Sequence, residues 1–241
     1  ADSSSNLLVS WGKSPDDHGS NVTSYRLEWW NVAGDHEVQK IKISAGGSIS
    51  GTFTVSYDGQ STDNLLWNID AKGMTAALDT LTTVQHVEVA RSTPIDFGYE
   101  WTVTFMGDTG NLPHLVTVDT SGLVGTSVVS TGTAETSAGT NYANYGTYVL
   151  DGLDALTPPY RYTITGLAAG TKYFARVSPF NDRGHGRYTM SLPVSVAPPQ
   201  QKPDLPVAAQ IAVHSATSLN VIWEHPSSDG GEIITNYKIE W

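Results

Sequence analysis

The sequence predicts a mainly β protein, in which a β-sandwich is interrupted by a small α+β insert and followed by the first strands of a second sandwich. Two observations support this prediction. Short runs that alternate apolar and polar residues, separated by connections containing Pro and Gly, are typical of half-buried strands. One pair of such runs also occurs twice, near the two ends of the 241-residue chain, with a long stretch of different pattern in between.

The two copies share both their residues and their spacing. In the first copy Leu7–Trp11 is followed by Tyr25–Trp29, and in the second copy Leu219–Trp223 is followed by Tyr237–Trp241. The tryptophans that end the first runs lie 212 residues apart, as do the tyrosines that begin the second runs. Two anchors with one offset indicate a tandem repeat. We therefore expect one period of a longer array plus an overlap into the next copy.

These runs resemble strands of fibronectin type III domains. The family's second strand reads apolar-x-Val-x-Trp, matched by Leu7–Trp11 and Leu219–Trp223, and its third strand begins with Tyr and alternates, matched by Tyr25–Trp29. The later half of the family pattern is matched by Tyr162–Leu167 and Gly170–Val177. The resemblance covers roughly half of the chain and implies a β-sandwich.

The resemblance also implies roles for six marker residues. Leu167 and Tyr173 are expected to form a tyrosine corner, in which the hydroxyl bonds to nearby backbone. The other four markers are the core tryptophans and the third-strand tyrosines of the two copies, namely Trp11, Trp223, Tyr25 and Tyr237.

The period is too long for one sandwich. An ordinary domain of this type needs about 100 residues, so a 212-residue period leaves about 110 residues for an insert. We expect a stiff, extended linker where prolines cluster after the sandwich. The predicted divisions are the first part of the sandwich at 1–40, the insert at 41–155, the second part of the sandwich at 156–199, the Pro-rich linker at 200–205, and the start of the next repeat at 206–241.

The insert has its own pattern. Gly51–Tyr57 alternates as a strand and ends at the turn signal Asp58-Gly59. Asp70 is a candidate cap for a helix whose apolar residues recur at helical spacing. Those residues are Met74, Ala77, Leu78 and Leu81, and the further predicted strands are Val84–Val89, Tyr99–Phe105 and Leu115–Val118. This order favours a helix on one face of a sheet, and the pattern resembles inserts of very large algal and protist surface proteins.

Composition excludes several functional classes. The net charge is −11 and the chain has only 13 Lys and Arg residues, which form no basic patch, so nucleic acid is not an expected partner. Cysteine is absent, which excludes disulfides and thiolate metal sites. No stretch approaches the ~20 apolar residues of a membrane span.

The sequence carries no motif for catalysis or for a metal. The pair His36-Glu37 begins like the zinc helix motif, but position 40 is Lys where a second His is needed. Nucleophile-elbow and phosphate-loop patterns are absent. We therefore predict a protein that is not an enzyme and binds no cofactor or metal; calcium between acidic loops stays open. The histidines are scattered: His18, His36, His86, His114, His185, His214 and His225.

Three surface features stay open as ligand or modification sites. Asn21 begins the N-glycosylation sequon Asn-Val-Thr in a polar connection. Trp29 and Trp30 are adjacent strand residues, so their rings face opposite sides, and the outward ring is expected to cover the insert, a neighbouring subunit or a sugar. The Ser/Thr-rich run 117–147 fits either O-glycosylation or plain β structure.

Together these features predict a structural repeat of an extracellular filament, flagellar-hair-like or adhesive fibre, giving mechanical linkage. Its expected partners are further copies of the repeat or parallel chains, with the insert widening the lateral surface. The alternative is a receptor or adhesin ectodomain that binds another extracellular protein or a glycan through loops. Both hypotheses place the chain outside the cell or on its surface.

Overall fold

The computed structural model of the chain describes residues 5–17, 19–125 and 129–241. The described elements comprise eighteen strands, one α-helix and a short 3-10 helix at Leu153–Ala155. In chain order they are β1 (Leu7–Trp11), β2 (Ser24–Trp30), β3 (Val38–Ala45), β4 (Ile49–Tyr57), β5 (Gln60–Ser61), β6 (Leu65–Leu66), α1 (Ala71–Leu78), β7 (Val87–Arg91), β8 (Tyr99–Phe105), β9 (Val116–Asp119), β10 (Leu123–Gly125), β11 (Val129–Ser137), β12 (Gly146–Leu150), β13 (Tyr160–Ile164), β14 (Tyr173–Asn181), β15 (Gly184–His185), β16 (Thr189–Val196), β17 (Val207–Ser215) and β18 (Ser218–Glu224).

The sandwich consists of two antiparallel sheets. One pairs β1 with β13, and the other has the order β12-β2-β14, with β15 and β16 both pairing with β14. Its core contains one set of alternating residues from each sheet, because successive strand residues face opposite sides. Buried residues of this core include Leu27, Ile164, Leu167 and Tyr173. The mainly β fold predicted from the sequence is confirmed.

The insert is a second two-sheet unit. One sheet has the order β11-β3-β8-β7, and the other is built on β4, which pairs with β5, β6, β9 and β10. Large apolar side chains from both sheets meet in its core, among them Phe53, Trp101 and Phe105. The predicted helix is formed as α1, but only its Met74 and Leu78 are buried. The insert is therefore built mostly from strands.

Two local predictions for the insert are confirmed at atomic detail. The Asp70 side chain accepts a hydrogen bond from the Gly73 backbone N–H at 2.7 Å and caps α1. Asp58 and Gly59 have φ values of 44° and 78°, the left-handed pair that a tight two-residue hairpin needs, and they join β4 to β5. The helix ends at Leu78, so Leu81 packs in the core from the following turn instead.

Other strand limits in the insert shift slightly. The run predicted at Val84–Val89 is a strand only from Val87, because the Val84 N–H bonds to Leu81 O in a turn. The run predicted at Leu115–Val118 becomes β9, Val116–Asp119. Part of the Ser/Thr-rich run 117–147 is β11, which pairs with β3, and residues 126–128 lie outside the described residues.

The strand pairing places the ends of the insert differently from 41–155. The eight residues Val38–Ala45 form one continuous strand of the insert sheet, so a division after residue 40 would split β3. At the other end, Gly146–Leu150 pairs with β2 in the sandwich sheet. The sequence pattern does not show that the chain re-enters the sandwich here, because β12 is short and alternates like the strands of the insert. We propose 31–145 as the insert.

Residues 206–241 contain one hairpin, β17–β18. The expected third strand at Tyr237–Trp241 is not formed within the described chain. In the first copy the equivalent strand β2 pairs with β12 and β14, whereas no described strand pairs with Tyr237–Trp241. A strand without a neighbour has no ladder to join.

Candidate functional site: the face between sandwich and insert

The outer face of the sandwich sheet is buried under the insert. In β2 and β14 the residues that alternate with the core set point to this face, and Arg176 of β14 lies directly opposite Glu28 of β2 in the strand register. Glu28, Arg176 and Ser178 are almost fully buried, and Trp30 is 5% exposed. The outer face of a sheet is ordinarily exposed to solvent. Because these residues are buried, they form a contact surface.

Arg176 binds both parts of the chain. Its Nε donates to Glu28 Oε2 at 2.8 Å and its Nη2 donates to Glu28 Oε1 at 3.1 Å, a bidentate ion pair. Its Nη1 donates to the backbone oxygen of Met106 at 3.2 Å, and Nη2 also reaches the backbone oxygen of Gly107. Met106 and Gly107 directly follow β8 of the insert. The Tyr145 hydroxyl donates to Glu28 Oε1. We call these five residues the clamp.

Aromatic rings surround the clamp guanidinium. Trp30 stacks on Phe174 with ring centroids 6.2 Å apart and packs on Tyr142 at 4.8 Å. The Arg176 guanidinium carbon lies 5.4 Å from the Trp30 ring centroid and 4.7 Å from that of Tyr188, within cation–π range. Such rings exclude water from the ion pair, which strengthens it.

The two adjacent tryptophans face opposite sides of the sheet, as strand geometry requires. Trp29 joins the sandwich core and stacks on Tyr162 at 6.0 Å, whereas Trp30 faces the insert side. Of the three expected partners for the outward ring, the described structure shows the chain's own insert segment, through Tyr142.

Titratable groups around the clamp are perturbed by burial. Burial raises the pKa of Asp108, while the Gln85 N–H and the nearby guanidinium groups oppose that rise. Burial, together with the hydrogen bond to Glu28, raises the pKa of Tyr145 to about 12. Burial, with Arg26 nearby, lowers the pKa of His185. These directions indicate a desolvated polar layer between the two units.

A second contact runs along the two chain passages that enter and leave the insert. The Asn31 N–H donates to Ala143 O at 3.1 Å, and the Ala143 N–H donates to Val32 O at 3.0 Å. Further along, the buried Glu37 carboxylate accepts the Gly139 N–H at 2.7 Å and the side-chain amide of Gln39 at 3.1 Å. Residues 31–37 and 138–143, which we call the stalk, therefore form a paired connection.

Sequence reasoning did not identify Glu28, Glu37 or Arg176 as contact residues. A charged residue that alternates with apolar ones in a strand indicates a solvated face, and only the position of the insert changes that interpretation. One signal was available for Arg176: it lies in the strand run Gly170–Val177, on the same face as the bulky Phe174.

The marker residues lie in the sandwich and in residues 206–241. The Ala168 N–H donates to the Tyr173 hydroxyl at 3.1 Å, and Leu167 is buried beside it. The Trp–Tyr pair recurs in the two copies: ring centroids are 6.3 Å apart for Trp11 and Tyr25 and 5.5 Å apart for their equivalents Trp223 and Tyr237.

The remaining predicted positions are dispersed. Asn21 is exposed in the connection before β2, and His18 lies outside the described residues. Among the residues that the structure describes, no group of three or more His, Asp or Glu side chains is arranged to hold a metal ion. In the same part of the chain, no helix has the length and apolar character needed to cross a bilayer.

A junction links the sandwich to the next copy. The Gln201 N–H donates to Gly230 O at 2.8 Å, and the Asp204 N–H donates to Ser228 O at 3.0 Å. The side-chain amide of Gln200 donates to Gly231 O at 3.1 Å. These bonds fasten the Pro-rich linker to residues 228–231, the loop that follows β18.

Comparison with known proteins gives a partial match. No protein-family model matches the chain. Over 79 residues, 33% of this chain, it is 33% identical to a fibronectin type-III domain-containing protein 3A from Pongo abelii and equally to the protein of that name from Homo sapiens. The aligned segment spans 7% and 6% of those two proteins. In that third of its length the chain is similar to a protein containing fibronectin type III domains, and its sandwich is fibronectin type III-like.

Proposed function

We propose that the chain is a structural module of an extracellular filament or fibre, whose function is mechanical linkage along the chain and lateral contact through the insert. The observation that carries this proposal is the clamp. Arg176 joins a strand of the sandwich to two backbone oxygens of the insert while held by Glu28. The insert is therefore a fixed projection from the sandwich and not a swinging domain.

The stalk supports the same conclusion. Its paired passages leave the sandwich from β2 and return into β12, which lie side by side in one sheet. A domain tethered by two hydrogen-bonded strands and a buried ion pair keeps its orientation at every repeat. Regular orientation is what lateral packing of parallel chains requires.

The junction supports the linkage role. An unattached Pro-rich linker would act as a stiff spacer of variable direction. Here its backbone is bonded to Ser228 and Gly230 of the next copy, so consecutive modules have a defined relation. Secretion to the cell surface belongs to this proposal, and the exposed Asn21 sequon is available for glycan attachment there.

Electron microscopy of the purified chain tests the proposal. We expect regular filaments without any added ligand. In a variant in which an Asn-Gly turn replaces residues 33–142, the filaments should be thinner. These cut points keep Val32 and Ala143, whose backbones are already paired, whereas a cut further along would remove β12.

Two outcomes contradict the proposal. An intact chain that stays monomeric at high concentration would argue for a receptor-type module instead of a filament. Filaments of unchanged width and strength after the deletion would show that the insert does not contribute to filament assembly. The deletion exposes Trp30, so Trp30→Thr in the same background separates loss of the insert from nonspecific aggregation.

A further inference from the structure

The interface between sandwich and insert contains buried polar atoms that no side chain or backbone group of the chain binds. Among the residues that the structure describes, seven buried side-chain nitrogen or oxygen atoms make no hydrogen bond. All but one, Trp11 Nε1, lie in this interface or in the stalk. They are Asn31 Oδ1 and His36 Nδ1 in the stalk, and Thr83 Oγ1, Gln85 Oε1, Ser178 Oγ and His185 Nδ1 in the interface.

Two of the interface atoms belong to the sandwich. Ser178 follows Arg176 by two residues in β14, so both lie on the face that the insert covers, and Ser178 is 1% exposed. His185 of β15 lies opposite Phe180 in the strand register, and its ring packs on Phe180 at 4.8 Å. Phe180 is the next residue of β14 on the same face as Ser178. Ser178 and His185 are therefore diagonal neighbours on the covered face.

A segment of the insert crosses this face of the sandwich. It begins at Thr82, where it packs on β15: a Cβ added to Gly184 would lie 3.3 Å from Thr82 Cα. It continues to Gln85, where a Cβ added to Gly107 of the clamp would collide with Gln85 Cβ. The segment therefore runs from β15 to the clamp.

This course places the other two interface atoms, those of Thr83 and Gln85, over the outer face of β14. Gln85 is 7% exposed, and its end of the segment lies beside the clamp residue that binds Arg176. Ser178 lies between Arg176 and β15 on the same face. Two polar atoms of the insert therefore face two polar atoms of the sandwich.

A dry layer of unpaired polar atoms would oppose docking of the insert. Leaving one buried donor or acceptor unpaired disfavours a closed interface by roughly fivefold to a hundredfold, and the factors for four such atoms multiply. Burial, with Arg26 nearby, lowers the pKa of His185, so its ring is neutral at pH 7 and Nδ1 needs a partner in either tautomer. The insert nevertheless docks closely enough to leave Trp30 only 5% exposed. These atoms therefore require partners that the described residues do not supply.

We propose that ordered water molecules bridge Ser178 and His185 of the sandwich to Thr83 and Gln85 of the insert. Hydroxyl groups, an amide oxygen and an imidazole nitrogen are all partners that a buried water can bind at once, since it both donates and accepts hydrogen bonds. These are single trapped molecules beside the clamp, and the insert still excludes bulk solvent from the ion pair.

The charges around the layer favour water over an ion. Arg176 and Glu28 neutralise each other in the clamp, and Arg26 Nε lies 4.0 Å from Glu28 Oε1. Asp108 is close enough to interact with both guanidinium groups and with Glu28. A cation would be repelled by the guanidinium groups and an anion by the two carboxyl groups, whereas a neutral molecule meets neither penalty.

Water-mediated docking fixes the orientation of the insert. Bridging waters contribute nearly as much enthalpy as direct hydrogen bonds, but they do so only where the two polar surfaces face each other in one register. The clamp holds one point of the interface, and the waters hold the layer between the clamp and β15. Docking of this kind takes place within one chain and does not depend on whether chains associate.

A high-resolution crystal structure of the chain tests the proposal directly. We expect spherical density at about 2.6–3.2 Å from Ser178 Oγ and from at least one of the other three interface atoms. Density for a larger solute would overturn the proposal, as would a direct hydrogen bond between the two sides or a layer without density in which the atoms stay unpaired.

Removing single hydroxyl groups gives opposite signs for a wet and a dry layer. Ser178→Ala and Thr83→Val each delete one hydroxyl and little volume. If water bridges these groups, each variant should lower the melting temperature by about 2–4 °C, because the remaining partners lose their bridge. Deleting an unpaired hydroxyl from a dry layer would instead raise the melting temperature. A rise in both variants would therefore contradict the bridging waters.

The double variant Ser178→Ala, Thr83→Val tests whether the two sides share their waters. Its loss in melting temperature should be clearly smaller than the sum of the single losses, since the bridge can be lost only once. Thr62→Val is the matched control: the Thr62 hydroxyl in the insert core accepts the Val55 N–H directly at 3.1 Å, so its effect should add to that of Ser178→Ala. Full additivity in both pairs would overturn a shared bridge. These measurements are made on single chains, so their outcome is separable from that of the filament experiment.

Discussion

Arg176 and Glu28 face each other across two neighbouring strands, and their side chains are 2% and 1% exposed while Arg176 also holds two backbone oxygens of the insert. Two opposite charges in cross-strand register are common on a wet sheet face. Here the insert excludes bulk water from this face of the sheet, so each buried charge is stabilised by its opposite partner. The pair therefore couples the folding of the sandwich to the docking of the insert.

Removing one partner should be costly. Arg176→Met leaves the Glu28 charge buried and unpaired, and we expect a loss of about 3–5 kcal/mol in the free energy of unfolding. Urea unfolding measures it. The double variant Arg176→Met, Glu28→Met should recover part of the loss, since no isolated charge remains.

A surface pair gives the matched control for that prediction. Lys40 and Glu100 form an ion pair of 2.8 Å with side chains 36% and 27% exposed. Lys40→Met should cost less than about 1 kcal/mol because water screens this pair. Equal losses for the buried and the exposed pair would mean that the clamp does not hold the insert.

The sequence predicts well whatever depends on local pattern. The Asp70 cap, the Asp58-Gly59 turn and the strand around Phe53 follow from short-range rules and are all formed. The outer-face contacts could not be predicted this way. Glu28 is a polar residue of an alternating strand whether or not another unit covers it, and its burial is decided by residues more than a hundred positions away, such as Tyr145.

The two copies of the repeat place equivalent tyrosine hydroxyls, those of Tyr25 and Tyr237, in different environments. The Tyr25 hydroxyl accepts the Ser14 N–H at 2.7 Å, and Tyr25 is 3% exposed in a formed sandwich. Tyr25→Phe should lower the free energy of unfolding by about 1 kcal/mol. Its equivalent Tyr237 lies outside any strand, and its hydroxyl shares only a solvent-exposed hydrogen bond of 2.8 Å with His225 Nδ1, so Tyr237→Phe should change it by less than about 0.5 kcal/mol. Similar losses in thermal unfolding would contradict the different environments assigned to them.

Asp108 should make stability depend on pH in a defined direction. Burial raises its pKa in the folded chain, so the folded state binds a proton more tightly than the unfolded state. The free energy of unfolding then falls as pH rises from about 4 through the folded pKa. Asp108→Asn keeps an acceptor for the Gln85 N–H and carries no charge. Its melting temperature should exceed that of the natural chain at pH 7 and match it at pH 3.

Asp119 provides the opposite sign as a control. Hydrogen bonds from Ser121 lower its pKa, so its contribution is present above the ordinary carboxyl pKa and is lost as pH falls through the folded value. Asp119→Asn should therefore slightly lower the melting temperature at pH 7. If both variants shifted in the same direction, overall charge and not the environment of Asp108 would be responsible.

Glycines in the corresponding loops of the two copies can isolate the junction. Gly19 and Gly230 have φ values of 82° and 75° in the corresponding loops, so alanine brings the same left-handed strain to both. A Cβ at Gly19 would meet nothing, whereas a Cβ at Gly230 would collide with the Gln201 backbone oxygen. Gly230→Ala must therefore displace the linker, while Gly19→Ala must not.

Small-angle scattering distinguishes these variants, because displacing the linker changes the position of the β17–β18 hairpin relative to the sandwich. We expect Gly230→Ala to broaden the distribution of interatomic distances and Gly19→Ala to leave it unchanged. Thermal unfolding should change similarly for both, since the backbone strain is shared. Identical scattering from the two variants would show that the hydrogen bonds from Gln201 and Asp204 do not set the relation between modules, and that the linker acts as a free spacer.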